Sequence, residues 1–175
     1  IFVVGGFTYV NQNKCGQHAC VGGYRKALND VWHSTDGKTW LTEPYVSSLS
    51  LSLSNVTNTS HHRYGTLNAG FKPRGGHGIV VMRSSMWIAG GQGSNPLNSS
   101  DHPFYNDLWT FGKSTDYVWT HSGEDLAPKW SPRAYFSMVK GGESVEDAYV
   151  IAGETEDGVT NEVWRWWQSG SQWLK

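Results

Sequence analysis

Pro73-Arg74-Gly75-Gly76-His77-Gly78-Ile79-Val80-Val81 opens a run of four short strand-like segments on which the reading of the whole chain turns. It continues with Met86-Trp87-Ile88-Ala89-Gly90-Gly91, then Asn106-Asp107-Leu108-Trp109, then Tyr117-Val118-Trp119. The same order returns at Pro132-Arg133-Ala134-Tyr135-Phe136-Ser137-Met138-Val139, Ala148-Tyr149-Val150-Ile151-Ala152-Gly153, Asn161-Glu162-Val163-Trp164 and Gln172-Trp173. A shortened copy stands at the start: Ile1 to Gly6, Asn29-Asp30-Val31-Trp32 and Thr39-Trp40, with no Pro-Arg segment before it. A pattern that recurs in register is the mark of a repeat architecture, in which each small unit buries its faces against its neighbours. The chain then divides into an incomplete first unit (1–44), an insertion rich in Ser, Thr and Asn (45–72), a second unit (73–122), a linker (123–131) and a third unit (132–175).

Composition agrees with an all-β reading. The 175 residues are 38% apolar, with 10 Trp, 8 Tyr, 6 Phe and 21 Gly. Bulky aromatics suit strands, and glycines suit the tight corners between them. The formal net charge of −1 leaves no excess of positive charge to attract phosphate backbones, so nucleic acid is not expected as a partner. There is no run of 18 apolar residues, so no membrane-spanning helix is expected. The chain begins inside the strand-like run Ile1-Phe2-Val3-Val4-Gly5-Gly6, so a secretion signal, if one is encoded, lies upstream.

These residues resemble the kelch family over nearly the whole chain. The resemblance rests on Gly5-Gly6 and Gly90-Gly91 after the second strand, and on Asn-Asp before Trp32 and Trp109 of the third. It rests also on Trp40, Trp119 and Trp173 closing the fourth. In the third unit Gly153 is followed by Glu154, and Asn161 by Glu162, so that unit departs from the pattern while keeping Trp164. The resemblance implies a kelch-type β-propeller, here partial, with about three four-stranded antiparallel blades of which the first is incomplete. Ser34-Thr35-Asp36-Gly37-Lys38-Thr39-Trp40 resembles a shortened Asp-box of the sialidases, read here as a hairpin turn on a blade rim with Thr39-Trp40 re-entering the strand. A propeller is a closed ring. The expectation is therefore a longer polypeptide with strands beyond both ends, or a ring completed by other copies.

Several residues are candidates for chemistry. Cys15 and Cys20 are the only cysteines, and an isolated close pair suits a local disulfide. Metal binding with His18 lacks a second ligand pair nearby, and no metal or other cofactor is expected. The sequons at Asn55, Asn58 and Asn98 fit N-glycosylation in a secretory compartment, which places the protein outside the cell or at its surface. His61-His62 reads as a solvated loop, and Ser47 to Ser54, with alternating Leu, as a superficial edge strand. Arg74 and Arg133 hold one repeat position. They either share an anionic-ligand site at the channel mouth, as the resemblance implies, or hydrogen-bond turn carbonyls in their own blades. His77 lines the channel in the same resemblance, as a structural residue or a ligand contact. In Trp166-Trp167, Trp166 shares a face with Trp164, and Trp167 points the other way, toward a neighbouring blade or as an exposed stacking platform.

No nucleophile elbow, phosphate loop or zinc-protease motif occurs, so catalysis has no visible support and enzyme status stays open. The leading expectation is a non-catalytic extracellular module that binds a protein or glycan ligand through its face loops. The alternatives are a structural subunit of an extracellular fibre, matrix or cell-surface assembly, and a fragment of a secreted carbohydrate-active or copper-oxidase-type enzyme with its catalytic residues elsewhere.

Overall fold

The computed structural model describes residues 1–10, 15–16, 19–20, 24–41, 69–82, 84–94, 102–112, 118–123, 128–141, 147–167 and 172–175. They form strands β1 (Phe2–Val10), β2 (Cys15–Gly16), β3 (Ala19–Cys20), β4 (Tyr24–His33), β5 (Gly78–Met82), β6 (Ser85–Gln92), β7 (Phe104–Gly112), β8 (Thr120–His121), β9 (Arg133–Ala134), β10 (Ser137–Gly141), β11 (Asp147–Ile151), β12 (Glu154–Thr155), β13 (Gly158–Val159), β14 (Val163–Trp167) and β15 (Gln172–Leu174). Every pairing among them is antiparallel. The second unit is a four-stranded sheet in the order β5-β6-β7-β8, and the third is another in the order β10-β11-β14-β15. The first contributes the long pair β1-β4, and β13-β12-β9 and β2-β3 are small separate sheets. Among the described residues, no helix is long and apolar enough to cross a membrane.

The strands follow from alternation. In β5, Val80 and Met82 are buried while Ile79 and Val81 face out, a period-two pattern on a pleated strand. Two apolar layers result. One joins the first unit to the second through Val4, Val31, Met86 and Ile88, with Phe71 between them. The other joins the second to the third through Val80, Ala89, Leu108, Ala148, Val150 and Trp166. Trp130, outside the expected repeat tryptophans, fills the second layer edge-on to Trp173 at 4.4 Å.

At the end of each second strand the backbone turns through two residues of positive φ: Gly5 (55°) and Gly6 (109°), Gly90 (59°) and Gly91 (101°), Ala152 (63°) and Gly153 (114°). The ladder slips at this point in β1 and β6, between Val4 and Gly6 and between Ala89 and Gly91. The third unit is therefore aligned differently from its sequence reading. Gly153 takes the second glycine position, and the departure is Ala152 in the first, a left-handed residue costing roughly 1–2 kcal/mol. Glycine is required where the next unit presses closest. A methyl on Gly5 would stand 2.8 Å from the Arg74 carbonyl oxygen, and one on Gly90 would stand 2.8 Å from that of Arg133.

Beside this turn lies a buried ionic knot. Arg74 is fully buried and donates to both carboxylate oxygens of Asp107, at 2.5 and 2.7 Å, and to the Gly90 carbonyl at 2.8 Å. The indole N–H of Trp109 donates to the same carboxylate at 2.8 Å. One unit on, Arg133 donates to Glu162 at 2.6 Å and to the Ala152 carbonyl at 3.1 Å, and Trp164 donates to Glu162 at 3.1 Å. Glu162, which departs from the Asn-Asp pattern in sequence, thus performs the acid's part. The preceding asparagine reaches the segment that leads into the next unit instead: Asn29 donates to the Phe71 carbonyl at 3.1 Å, and Asn106 to that of Trp130 at 3.2 Å.

The fourth strand of the third unit holds the expected Gln172-Trp173, whereas those of the first two units lie slightly beyond their sequence assignments. In the second unit β8 begins just after Trp119, whose ring packs edge-on against Phe71 at 5.3 Å. In the first unit Thr39-Trp40 does not re-enter a strand, and pairing is a single bridge, His33 to Leu41. The Asp36 carboxylate holds the preceding turn by accepting the Lys38 and Thr39 amides at 2.8 Å each. Backbone hydrogen bonds, that of Thr39 first, bring its pKa down to about 2.

Arg74→Ala leaves Asp107 without its cation and empties a fully buried site, so urea unfolding is expected to show a loss of about 3–5 kcal/mol. Lys175 pairs with Glu162 from an exposed position, and because Glu162 keeps Arg133 as a partner, Lys175→Ala should cost no more than about 1 kcal/mol. Equal losses for the two would mean that the knot does not organise the unit.

Candidate functional site

Beyond its glycine turn, β1 continues with β4 as a hairpin whose Phe7, Tyr9, Arg25 and Ala27 share one face, because Phe7 lies opposite Ala27 and Tyr9 opposite Arg25. That face turns toward the second unit. The Ala27 amide donates to Ser94 Oγ at 2.7 Å, and the Phe7 ring covers Gly75, where a Cβ would overlap it. The Arg25 guanidinium lies over the Phe7 ring, 4.0 Å from its centroid. From there Arg25 Nη2 donates to Gln92 Oε1 at 2.6 Å and Nη1 donates to the Tyr135 hydroxyl at 3.0 Å. The hydroxyl donates in turn to Gln92 Oε1 at 3.2 Å, closing a triangle.

The three corners come from three units: Arg25 from β4, Gln92 from the end of β6, and Tyr135 from the segment between β9 and β10. Tyr135 is the unusual one. It holds a left-handed φ of 55°, and Gly76 fills the equivalent place in the second unit at 63°. A non-glycine residue in that conformation costs on the order of 1–3 kcal/mol and persists where its surroundings or its function require it. The Tyr135 amide donates to the Gly76 carbonyl at 2.7 Å, and its side chain is 48% exposed. The strain therefore places a phenol at the surface, beside a guanidinium.

Charge distinguishes Arg25 further. Arg74, Arg133 and Arg165 each pair with a carboxylate. Among the described residues Arg25 has only neutral acceptors, Gln92 and Tyr135. Its remaining N–H groups suit an anionic or hydroxyl-rich ligand, which the phenol and the apolar faces of Phe7 and Tyr135 can flank. Among the described residues, no group of three or more His, Cys, Asp and Glu side chains is placed to hold a metal ion.

The residues singled out in the sequence lie elsewhere. Arg74 and Arg133 face no ligand space, since both are 0% exposed and neutralised in their knots. Their structural reading included turn carbonyls, and the Lys72 and Ser131 carbonyls do accept from them, at 3.0 and 3.2 Å. His77 precedes β5 and pins the first unit to the second, with Cε1 3.3 Å from where a Gly5 methyl would stand. Phe136 holds the same position against Gly90 one unit on. His77 Nδ1 is buried without a hydrogen-bond partner, so the imidazole is not the fully satisfied structural residue expected. Burial first, and then the Arg74 charge, bring its pKa down to about 4, against a hydrogen bond to the Val4 backbone. Trp167 is 37% exposed at the end of β14 and takes no part in the Arg25 triangle, while Trp166 is buried against Trp87 at 5.8 Å. Cys15 and Cys20 face each other in the β2-β3 register, and their side chains lie outside the described residues. Asn55, Asn58 and Asn98, the Ser47 to Ser54 segment and His61-His62 also lie outside them. The triangle is hidden in the sequence because Arg25 belongs to no repeated motif and Tyr135, though inside one, is not a residue the other units share. The available signal was Tyr135 standing where the second unit has Gly76.

No family model matches the chain, and no curated protein matches it. Among solved structures it is similar to one described as "Structure of YjhT", with a TM-score of 0.62 and 17% identity. The likeness covers 99% of this chain and 47% of that one, so the chain spans about half the length of that structure. At this identity the likeness concerns the fold alone.

His77 gives a pH dependence of definite sign. Its folded pKa lies below the ordinary 6.5, so below that pH the unfolded chain takes up a proton that the folded one refuses. The stability present above pH 6.5 should therefore fall as pH drops toward 4, by on the order of 2–3 kcal/mol from this residue. His77→Phe, which copies Phe136, should remove that component of the pH profile measured by chemical unfolding. An unchanged profile would show that His77 already titrates freely in the folded protein.

Proposed function

We propose that the chain is part of a kelch-type β-propeller and acts as a non-catalytic binding module, its ligand held at the Arg25–Gln92–Tyr135 triangle. The observation that carries this reading is the strained Tyr135, exposed beside the one described arginine that lacks a carboxylate. The blade assignment is supported by two four-stranded antiparallel sheets with repeated knots and turns, and by a likeness covering 99% of the chain. The ligand class that suits the triangle is a protein or glycan surface offering a carboxylate, sulfate or cluster of hydroxyls. Flat aromatic faces beside a guanidinium accept a sugar ring or a planar side chain equally well.

The test uses a printed array of acidic and neutral glycans together with immobilised acidic peptides. The unaltered protein should bind a subset of the acidic probes. Arg25→Ala should reduce that binding by tenfold or more, consistent with about 1.5–3 kcal/mol for a charge-assisted hydrogen bond. Tyr135→Asn should also reduce it, because asparagine tolerates the left-handed backbone while the phenol is lost. Binding that survives both substitutions would place the site elsewhere.

We also propose that the protein is extracellular. Directly opposed residues of an antiparallel pair lie about 4.5–5.5 Å apart at Cα, within the span a disulfide bridges, and Cys15 and Cys20 hold that relation in β2-β3. Peptide mass spectrometry of natively produced, unreduced protein should find Cys15 joined to Cys20 and glycan on at least one of Asn55, Asn58 and Asn98, with Asn98 favoured. Free thiols and three bare asparagines would remove the secretory assignment.

A further inference from the structure

Three consecutive residues of the second unit hold all the corners of the triangle. Gly75 pairs with Gln92 in both directions, its amide donating to the Gln92 carbonyl at 3.0 Å and its carbonyl accepting the Gln92 amide at 2.9 Å. Gly75 also lies against the Phe7 ring, on which the Arg25 guanidinium rests. The Gly76 carbonyl accepts the Tyr135 amide at 2.7 Å. His77 comes next, wedged between the glycine turns of two units. Its Cε1 is 3.3 Å from where a Gly5 methyl would stand, and its Cβ is 2.9 Å from where one on Gly91 would stand. A displacement of His77 is thus passed directly to the residues that position Arg25, Gln92 and Tyr135.

The imidazole is badly placed to take up a proton. One ring nitrogen donates to the Val4 backbone of the first unit, and Nδ1 is buried with no partner. A neutral imidazole that donates from one nitrogen keeps its lone pair on the other, so an added proton arrives at Nδ1. There it becomes a buried donor without an acceptor. The charged side chains around it are Arg74 on its own segment, with Asp107 behind, then Arg25, Lys26 and Asp30 on β4 and Arg133 beyond; β1, β5 and β6 carry none. Of these, Arg74 is the one that acts on the ring, and it opposes a second positive charge. Water reaches the ring when Gly5 and the β1-β4 pair that carries it move away. That movement breaks the backbone bonds from the Gly6 amide to the Arg74 carbonyl, at 2.7 Å, and from the Arg74 amide to the Leu28 carbonyl, at 2.8 Å.

We infer that His77 is a pH-sensitive joint: a proton on Nδ1 parts the β1-β4 pair from the second unit and disperses the Arg25–Gln92–Tyr135 triangle. The triangle disperses in this way whether or not a ligand binds there. The joint between the second and third units has no such group, because Phe136 stands against Gly90 where His77 stands against Gly5. Acid therefore acts on one joint and spares the other. The device is local, and it removes Arg25 from its partners while β5 to β15 stay packed.

Residue-by-residue amide exchange on the intact 175-residue protein, expressed as protection over the intrinsic rates, reads the opening of each joint. The opened joint frees an imidazole of ordinary basicity, so opening gains as pH falls through 6.5 and levels off near 4. Between pH 7 and pH 4.5, protection at Gly6, Ala27 and Arg74 should fall by on the order of fiftyfold, with Tyr135 following as its Gly76 acceptor shifts. Protection along β11 should not change. His77→Gln and His77→Phe should each abolish the fall. Glutamine keeps a donor for the Val4 backbone and phenylalanine copies Phe136, so the test stands even if one of them fails to fold. No fall in the unaltered protein, an equal fall along β11, or an undiminished fall in a folded variant would each overturn the inference. No ligand is added, so the outcome is independent of what the triangle binds.

Discussion

An arginine without water must be neutralised where it stands, and most of this architecture is arranged around that requirement. Arg74 and Arg133 are wholly buried. An isolated guanidinium there would be prohibitively costly, so each is met by a carboxylate, a turn carbonyl and a carbonyl of its own segment. Such pairs contribute little net stability compared with apolar packing of equal volume, but breaking one is expensive. Their value lies in position. One side chain fixes the start of the inner strand, the glycine turn of the second strand and the acid that begins the third. The three strands of a unit cannot slip against each other without stranding a charge.

The turn and the knot depend on one another. The left-handed pair at Gly90-Gly91 turns the Gly90 carbonyl onto Arg74, and the same pair at Ala152-Gly153 turns the Ala152 carbonyl onto Arg133. Gly5 is pressed by the Arg74 carbonyl and Gly90 by that of Arg133, so neither position has room for a side chain.

Much of the fold was legible because repetition multiplies weak signals. One Gly-Gly or one Trp has many explanations, but the ordered series in three places has few. What the sequence hid was partnership. Asp107 and Glu162 are different residues, so the acid role was obscured until both were seen accepting an arginine and an indole. Gly153 is one residue from its naive alignment because chain direction at a bulge, rather than residue identity, sets the count. The candidate site was less legible still. Arg74 and Arg133 stood out because they repeat, and repetition in a solenoid-like chain marks structure more than recognition. Arg25, Gln92 and Tyr135 repeat nowhere, as a site of the kind proposed, contributed once by each of three units, would require.

That triangle and the unit contacts share one free energy. Arg25, Gln92 and Tyr135 meet only while all three units keep their packing, and a ligand gripping two or more corners binds the packed arrangement alone. By mass action it stabilises that arrangement by RT ln(1 + [L]/Kd), about 2.7 kcal/mol at a hundredfold excess over Kd. The contact it reinforces is the one His77 weakens on acidification, since that imidazole lies between Gly5 of the first unit and the inner segment of the second. Protonation there favours separation of β1 and β4 from the rest, and separation withdraws Arg25 from Gln92 and Tyr135. Linkage would run both ways: acid would loosen a ligand bound as proposed, and that ligand would favour the neutral imidazole by holding the closed state. A strained tyrosine, an arginine with only neutral acceptors and a buried histidine thus lie along one contact between units, and the recognition surface proposed at the triangle would depend on that contact.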